Sequence, residues 1–331
     1  MDKKIIVITG GGGYIGSTLS PKLLNKGYKV RVLDILFYGD SGVRPLYDHP
    51  DFELFKGDIR DKSLVKAALR GAHGVVHLAA ISNDPSSELN HQWTKEVNYD
   101  AIEQLVDLSV KAGVKRMVNA SSSSVYGIKE ESSVTEDLVL EPMTLYSRLK
   151  VDSEKLFSQV SSEKCPTVSV RSATVCGYSP RMRLDVIINI LVSSAVNKKV
   201  ITVFGGSQKR PNVHVEDNTD FYANLLEADA GVISGKAYNV SGENHTVMDL
   251  AKIVQKELGG DIPIEVKSTN DLRSYHISAQ KAQKELGFTP KHSIREAIIG
   301  LRDAFKENKI PNVADACYYN IKTLQNLGWG K

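Results

Sequence analysis

Residues 8–16 of the chain read ITGGGGYIG, and this stretch decides the fold. It follows the apolar run at residues 5–8 and opens a segment with a helical pattern. Gly10, Gly13 and Gly16 remove side chains where a strand must turn tightly, where backbone must approach a pyrophosphate, and where a helix must pack on a strand. The helix N-terminus directs free N–H groups and a positive dipole end at the same gap. The stretch therefore predicts a dinucleotide-binding turn.

An acidic residue, Asp34, ends the next predicted strand at residues 29–34. This is about twenty residues after the glycine turn, where such folds place a carboxylate for the adenosine ribose. A carboxylate there accepts hydrogen bonds from both ribose hydroxyls and repels a 2′-phosphate. The sequence therefore favours NAD over NADP.

Apolar strand patterns alternate with helical patterns through the first half of the chain. This alternation predicts an α/β fold with a Rossmann-type, doubly wound parallel sheet, followed by a smaller C-terminal α/β lobe for the substrate. We expect an NAD-binding domain at residues 1–175, to which some later segments return, and a mainly substrate-binding lobe at 176–331. The predicted strands are 5–9, 29–34, 52–56, 74–78, 115–120 and 166–171. The predicted helices are 14–26, 61–70, 92–112, 145–159, 184–196, 217–227, 247–258 and 294–306.

Composition narrows the class of protein further. The 331 residues carry a net charge of +3 with basic and acidic residues interspersed, which argues against a nucleic-acid partner. No stretch approaches the roughly 18 apolar residues of a membrane span, so no membrane partner is expected. Cys165, Cys176 and Cys317 share no short spacing with one another or with histidines, which argues against a metal site and a disulfide framework. We expect a soluble, cytoplasmic protein.

A tyrosine and a lysine form the main candidate for acid/base chemistry. Tyr146 and Lys150 occur in the segment YSRLK, one turn apart on the same face of a predicted helix. A phenol with a reference pKa near 10 is a poor base at neutral pH, but a neighbouring cation favours the phenolate. Because the pair follows the serine-rich end of the fifth strand, it falls where the nicotinamide is expected.

Several motifs occur along the chain in a fixed order. They are TGGGGYIG, Asp34, GDIRD, HLAA, VNYDA, ASSSSVYG, YSRLK and RPNVHVED. In these motifs the chain resembles the extended short-chain dehydrogenase/reductase family, and within it the nucleotide-sugar epimerases and dehydratases. The resemblance covers nearly the whole length.

The resemblance implies roles for individual residues around NAD. It assigns the pyrophosphate to the glycine turn, the adenosine ribose to Asp34, the adenine to the end of the third strand, and the channel walls to the end of the fourth strand and the next helix. In chain order these residues are Gly10, Gly13, Tyr14, Ile15, Gly16, Asp34, Asp58, Ile59, Leu78, Ala79, Ala80 and Asn98.

The resemblance also implies the catalytic groups. Tyr146 looks like the family's catalytic base and Lys150 like its partner, both beside the cofactor. Ser122 corresponds to the hydroxyl that hydrogen-bonds the reacting oxygen, although Ser121 and Ser123 stay open as alternative donors. The implied reaction begins with oxidation at sugar C4: Tyr146 takes the hydroxyl proton, hydride passes to NAD, and a 4-keto sugar results.

The residues after Ser122 bear on the fate of the 4-keto sugar. Dehydratases of the family usually place Asp and Glu there, and the 3,5-epimerases usually have a Cys nearby, whereas this chain has Ser123 and Ser124. A 4-epimerase needs no further acid/base group and is the simplest hypothesis. A nucleotide-sugar 4-dehydrogenase or 4-ketoreductase would use the same residues and stays open. A non-catalytic NAD-sensing protein is the third possibility.

The substrate is expected to be a nucleoside-diphosphate sugar. A guanidinium can pair bidentately with phosphate oxygens, and Arg210 and Arg273 resemble the positions with which the family grips the diphosphate. The further substrate candidates are Asn83, Ser123, Ser124, Arg181, Arg183 and Asn189. By resemblance alone we also expect a homodimer, formed through the helix that carries Tyr146 and the helix at residues 92–112.

Overall fold

The computed structural model describes residues 3–131, 133–269, 274 and 276–329. Its strands are β1 Ile5–Thr9, β2 Lys29–Asp34, β3 Phe52–Lys56, β4 Gly74–His77, β5 Arg116–Ala120, β6 Thr167–Ser172, β7 Thr174–Cys176, β8 Ile201–Phe204, β9 Lys209–His214, β10 Lys236–Val240, β11 Glu243–Thr246 and β12 Ile264–Lys267. Its α-helices are α1 Gly16–Asn25, α2 Lys62–Leu69, α3 Asp84–Ser87, α4 His91–Lys95, α5 Ala101–Lys111, α6 Leu145–Val160, α7 Ile187–Lys198, α8 Val215–Leu225, α9 Ala230–Ile233, α10 Val247–Glu257, α11 Gln280–Leu286, α12 Ile294–Lys306 and α13 Asn320–Asn326.

Seven strands form one parallel sheet in the order β10-β6-β5-β4-β1-β2-β3. The predicted doubly wound α/β fold is confirmed. β1 has β2 on one side and β4 on the other, so the strand order reverses beside β1. In such sheets the carboxyl ends at the reversal flank a crevice that binds ligands. The glycine turn follows β1 and therefore lies in this crevice.

The second half of the chain builds a separate apolar core and also returns to the sheet. β10 forms an edge of the seven-stranded sheet, while β7, β9 and β11 form one small sheet and β8 and β12 form another. Helices α7, α10 and α12 pack together over a core that includes Leu191, Leu250 and Ile298. The division into a nucleotide domain and a substrate lobe stays a prediction. Within the described part of the chain, no helix is both long and apolar enough to cross a membrane.

Two predicted helices differ from the structure. The helix predicted at 92–112 is divided by a π-helical turn, Glu96–Asp100, between α4 and α5. The helix predicted at 184–196 begins only at Ile187, because Asp185 pairs with Arg183 at 2.7 Å and accepts a hydrogen bond from the backbone of Asn320. These contacts hold residues 183–185 outside the helix. The sequence pattern predicts loops and short elements over residues 204–217, where the structure has β9, because this strand is short, contains Pro211 and follows two glycines.

Candidate active site

Two glycines of the turn are required by close backbone contacts within the fold, and the third by the space that a ligand needs. Gly10 has φ +72°, and a Cβ there would lie 2.6 Å from the backbone nitrogen of Ala79. A Cβ at Gly16 would lie 2.5 Å from the Cα of Gly11. At Gly13, in contrast, an added Cβ would lie 3.1 Å from the carbonyl oxygen of Gly10 and would meet no other described atom within 4 Å outside its chain neighbours. Since Gly13 lines the large cavity, its missing side chain leaves room for a ligand, as a pyrophosphate requires.

The carboxylate of Asp34 fixes this turn from the end of β2. It accepts hydrogen bonds from the backbone nitrogens of Gly12 at 2.9 Å and Leu36 at 2.7 Å. Burial raises the pKa of Asp34, and these two bonds oppose that effect by stabilising the charged form. Asp34 also lines the cavity, so its remaining lone pairs can meet a ribose hydroxyl there.

A polar cluster lies at the end of β3. The guanidinium of Arg60 pairs with Asp58 at 2.7 Å and with Glu96 at 2.6 Å. Although burial raises the pKa of Asp58, the hydrogen bonds from Arg60 lower it below its usual range. Asp58 and its buried neighbour Ile59 line the same cavity as Asp34. Because the resemblance assigns the adenosine of NAD to Asp34, Asp58 and Ile59, we call this part of the cavity the adenosine end.

One cavity of about 610 Å³ brings most of the predicted residues together. It is lined by the predicted cofactor residues Gly10, Gly13, Tyr14, Ile15, Gly16, Asp34, Asp58, Ile59, Leu78, Ala79, Ala80, Tyr146 and Lys150. It is also lined by Asn83, Ser122, Ser123, Ser124, Arg181, Arg183 and Arg210. Arg273 lies outside the described residues. The cavity combines an open glycine turn, a half-buried carboxylate and several polar side chains, as NAD and a second polar ligand would require.

Two predicted residues support the cavity from behind and do not line it. Asn98, in the π-helical turn, accepts from the backbone nitrogen of Ile81 at 2.8 Å and donates to its carbonyl at 3.0 Å. Asn189 donates to the hydroxyl of Tyr14 and accepts from the backbone nitrogen of Gly177, to whose carbonyl Tyr14 donates. Asn98 therefore holds the loop after β4, and Asn189 holds the glycine turn against the end of β7.

Local sequence fixes the position of Tyr146 on α6. Thr144 and Ser147 form a capping box: Thr144 accepts from the backbone nitrogen of Ser147 at 3.1 Å, and the Ser147 hydroxyl accepts from that of Thr144 at 3.0 Å. The helix therefore begins at Leu145, and Tyr146 lies in its first turn. Lys150 follows one turn later on the same face.

The ammonium group of Lys150 lies between the tyrosine and the end of β5. Its Nζ is 5.6 Å from the centroid of the Tyr146 ring and donates to the carbonyl of Ala120 at 2.6 Å. Burial lowers the pKa of Lys150 to about 8, and the charge of Glu154 opposes this. At neutral pH the lysine is therefore a buried cation beside a phenol. The positive charge of Arg183 also acts on Tyr146.

The serine run after β5 presents several hydroxyls to the cavity. Ser121 donates to Glu154, which pairs with Arg171 at 2.7 Å, so its hydrogen is committed to a buried ion pair. Ser122 caps the 3₁₀ turn 123–126 by accepting from the backbone nitrogen of Ser124 at 3.2 Å, and keeps its own hydrogen for donation. Of these two, Ser122 is the better candidate donor.

Two arginines after β7, the buried Arg181 and the half-buried Arg183, are incompletely paired within the described part of the chain. Arg181 lies over the ring of Tyr38, 3.9 Å from its centroid, and donates to Asn320 at 2.8 Å. Burial lowers the pKa of Arg181 to about 10. Its Nε, the Nη2 of Arg183 and the hydroxyl of Ser124 are buried without a hydrogen-bond partner among the described residues. Since these side chains line the cavity, their orphaned groups are available to a bound polar ligand.

The sequence analysis missed several residues that line the cavity, among them two after β2 and two near the C-terminal end of the described chain. Phe37 and Tyr38 follow β2, where the position after a strand end was a usable signal. Asn320 and Trp329 come from the C-terminal part of the chain, in no motif. Nothing local to residues 316–329 indicates that they reach the cavity.

The parallel sheet, the glycine turn at its reversal point and the Tyr–Lys helix on the same cavity define a dinucleotide-binding protein of Rossmann type. The sequence matches the model of the NAD-dependent epimerase/dehydratase family over residues 6–241, and the chain belongs to that family. It is an NAD-dependent enzyme, as the resemblance predicted.

The proteins to which the chain is similar include epimerases and dehydratases. The chain is 29% identical to UDP-glucose 4-epimerase of Lactobacillus helveticus, covering 89% of this chain and 94% of that protein. The crystal structure of DesIV, a dTDP-glucose 4,6-dehydratase from Streptomyces venezuelae with NAD bound, is similar with a TM-score of 0.82 at 28% identity, covering 92% and 98%. MoeE5 in complex with UDP-glucuronic acid and NAD has a TM-score of 0.80 at 26% identity, covering 91% and 99%. Because epimerase and dehydratase are similar to nearly the same degree, the reaction must be argued from residues.

Proposed function

We propose that the protein is an NAD-dependent nucleotide-sugar 4-epimerase in which Tyr146 is the acid/base. The observation that carries this is the composition of one cavity wall: Tyr146, Lys150 and Ser122 line it together, while the two positions after Ser122 are Ser123 and Ser124. The proposed reaction follows from the Tyr–Lys pair and the serine hydroxyl in this wall. It also follows from the serines at the two positions where dehydratases of the family usually have Asp and Glu.

Tyr146 would remove the proton from the sugar hydroxyl at C4 and later return it. The buried Lys150 cation stabilises the phenolate that this requires, and the nearby charge of Arg183 acts in the same direction. Ser122 would donate to the C4 oxygen and hold it toward the phenol. NAD, held by the glycine turn and Asp34, would supply the chemistry of hydride transfer at C4.

The serines at 123 and 124 disfavour the other family reactions. A hydroxyl at these positions cannot supply the acid and base that eliminate water from C5 and C6, because its pKa is far outside the working range. The hydroxyl of Ser124 is instead a neutral group that can hydrogen-bond a sugar hydroxyl. In a 4-epimerase the 4-keto intermediate only has to rotate and take hydride back on its other face, which needs no further acid/base group.

The substrate is proposed to be a nucleoside-diphosphate sugar. Arg183 and Arg210 both line the cavity, Arg183 from the segment after β7 and Arg210 from β9. Guanidinium groups suit a diphosphate. The MoeE5 complex with UDP-glucuronic acid supports this class of substrate for a fold of this kind.

Product analysis distinguishes the epimerase from a 4-dehydrogenase or a 4-ketoreductase. Pure protein is incubated with UDP-, GDP-, CDP- and dTDP-sugars, and both the reduced-nicotinamide absorbance and the stereochemistry at C4 are followed. Inversion at C4 without net change in the cofactor is expected. Stoichiometric cofactor reduction or oxidation would replace the proposal by one of the net redox reactions, and elimination of water would show a dehydratase.

A further inference from the structure

A segment near the C-terminus, residues 316–329, crosses the adenosine end of the cavity; we call it the C-terminal strap. It contains a 3₁₀ turn at Ala316–Tyr318, then α13, and then Trp329. The side chain of Trp329 is only 4% exposed and lines the same cavity as Asp34 and Asp58. The strap therefore supplies a wall where the family cofactor's adenosine is expected.

Asn320 anchors the start of the strap to two separate loops. Its Oδ1 accepts from Arg181 at 2.8 Å, its Nδ2 donates to the hydroxyl of Ser82 at 2.9 Å, and its backbone nitrogen donates to Asp185 at 2.9 Å. Ser82 follows β4, whereas Arg181 and Asp185 follow β7. Because Asn320 is almost fully buried, these bonds are shielded from water and fix the strap across the crevice.

Aromatic and apolar contacts hold the end of the strap. The Trp329 ring lies 4.5 Å from that of Trp93 and 6.2 Å from that of Phe37, edge to face in both cases. Leu324 and Ile81 complete a small buried cluster with Trp329. Phe37 and Ile81 line the cavity as well, so the wall at this end is aromatic and apolar.

We propose that the C-terminal strap retains NAD in the protein by closing the adenosine end of the cavity, with Trp329 as the side chain that contacts the adenosine moiety. A purine presents a large flat π-face, and an aromatic wall suits it without the need for hydrogen bonds. The orphaned Nε of Arg181, held by the strap through Asn320, is positioned to meet the polar part of the same ligand. The proposal concerns the family's cofactor and does not depend on which sugar reaction is catalysed.

The test compares cofactor binding by strap variants. Trp329→Ala, and a chain that ends at Gly328, are prepared free of nucleotide and titrated with NAD and with ADP-ribose by calorimetry. Both ligands are expected to bind about 10-fold more weakly, the effect of losing one base–aromatic contact. Less NAD should also remain with the protein after gel filtration. Leu327→Ala is the matched control, because Leu327 is 49% exposed on the same strap and does not line the cavity.

Unchanged binding of NAD and ADP-ribose by either variant, with normal thermal unfolding, would overturn the proposal. So would a loss for NAD without a loss for ADP-ribose, since the strap would then act away from the adenosine end. Should Trp329→Ala fail to fold, Trp329→Phe carries the test: a smaller ring is expected to weaken both ligands by a smaller factor, and wild-type binding by this variant overturns the proposal.

Discussion

Tyr146 owes its proposed role to three neighbours that come from different parts of the chain. Lys150 shares its helix, Ser122 follows β5, and the charge of Arg183 acts on it from the segment after β7. Replacement by Phe keeps the ring and removes only the hydroxyl. We expect Tyr146→Phe to lower kcat by about 10²–10⁴-fold, the usual worth of a general acid/base, while NAD binding persists.

Steady-state kinetics and calorimetry check this pair of outcomes. Tyr47→Phe is a suitable control, because Tyr47 is an exposed tyrosine outside the cavity lining. Wild-type turnover in Tyr146→Phe would remove Tyr146 from the mechanism.

The expected role of Asp34 in cofactor choice is linked to the shape of the glycine turn. Because its carboxylate also accepts from Gly12 and Leu36, Asp34→Ala would disturb the turn, whereas Asp34→Asn keeps an acceptor and removes the charge. We expect Asp34→Asn to weaken NAD by about 10-fold or more and to reduce the preference for NAD over NADP. The ratio of the two dissociation constants is the measurement, and an undiminished preference would refute this role.

The buried cation of Lys150 is expected to lower the stability of the folded protein. Its pKa is lowered from 10.5 to about 8 in the folded protein, so folding disfavours the charged form. This cost is fully present below pH 8 and disappears as the pH rises to the unfolded value. One pKa unit is worth about 1.4 kcal/mol, so after allowance for the lost hydrogen bond we expect Lys150→Met to raise the free energy of unfolding at pH 7 by about 2 kcal/mol.

Denaturant unfolding at pH 7 and at pH 10 measures this effect. The gain should shrink at the higher pH, while activity is lost at both. A variant less stable than wild type at pH 7 would show that the hydrogen bond to Ala120 outweighs the burial of the charge.

At the scale of elements, the turn between β1 and α1 depends on close backbone contact. A Cβ at Gly16 would lie 2.5 Å from the Cα of Gly11, and neither backbone can move without opening the turn. We expect Gly16→Ala to lower the free energy of unfolding by about 2–3 kcal/mol and to abolish NAD binding. Gly300→Ala is the control: an added Cβ there meets nothing within 4 Å on the exposed side of helix α12, and alanine should stabilise by about 0.5–1 kcal/mol. Equal unfolding curves for Gly16→Ala and wild type would contradict the packing argument.

Elements with strong local signals were predictable from the sequence. Helix α12 was predicted with the bounds it has, because an amphipathic pattern follows the capping box of Ser293 and Glu296. Strand β1 is an uninterrupted β-branched run, Ile5–Thr9, whereas β10, which the sequence analysis missed, has the mixed sequence KAYNV. The π-helical turn around Asn98 was not predictable, because it depends on the two hydrogen bonds that Asn98 makes with Ile81.

Over the whole molecule, site residues that are close in sequence could be predicted together, whereas residues that meet only in the folded chain could not. Tyr146 and Lys150 could be paired from the sequence because one helix carries both. Asn320 could not be linked to Ser82, because 238 residues separate them and only the folded chain brings them together. Arg181 was predicted as a substrate ligand; the structure places it against Tyr38 and Asn320, at the strap, so that role stays a prediction. The homodimer also stays a prediction.

In the proposed reaction, hydrogen leaves C4 of the sugar and returns to the same carbon without net oxidation. A nucleoside-diphosphate sugar carrying deuterium at C4, offered to the NAD-loaded enzyme, tests this most directly when NMR follows both the configuration and the label. We expect the C4 epimer with deuterium retained at C4, formed about 10²–10⁴-fold more slowly by Tyr146→Phe. Release of a 4-keto sugar, or an inverted product whose C4 deuterium has been lost, would contradict it.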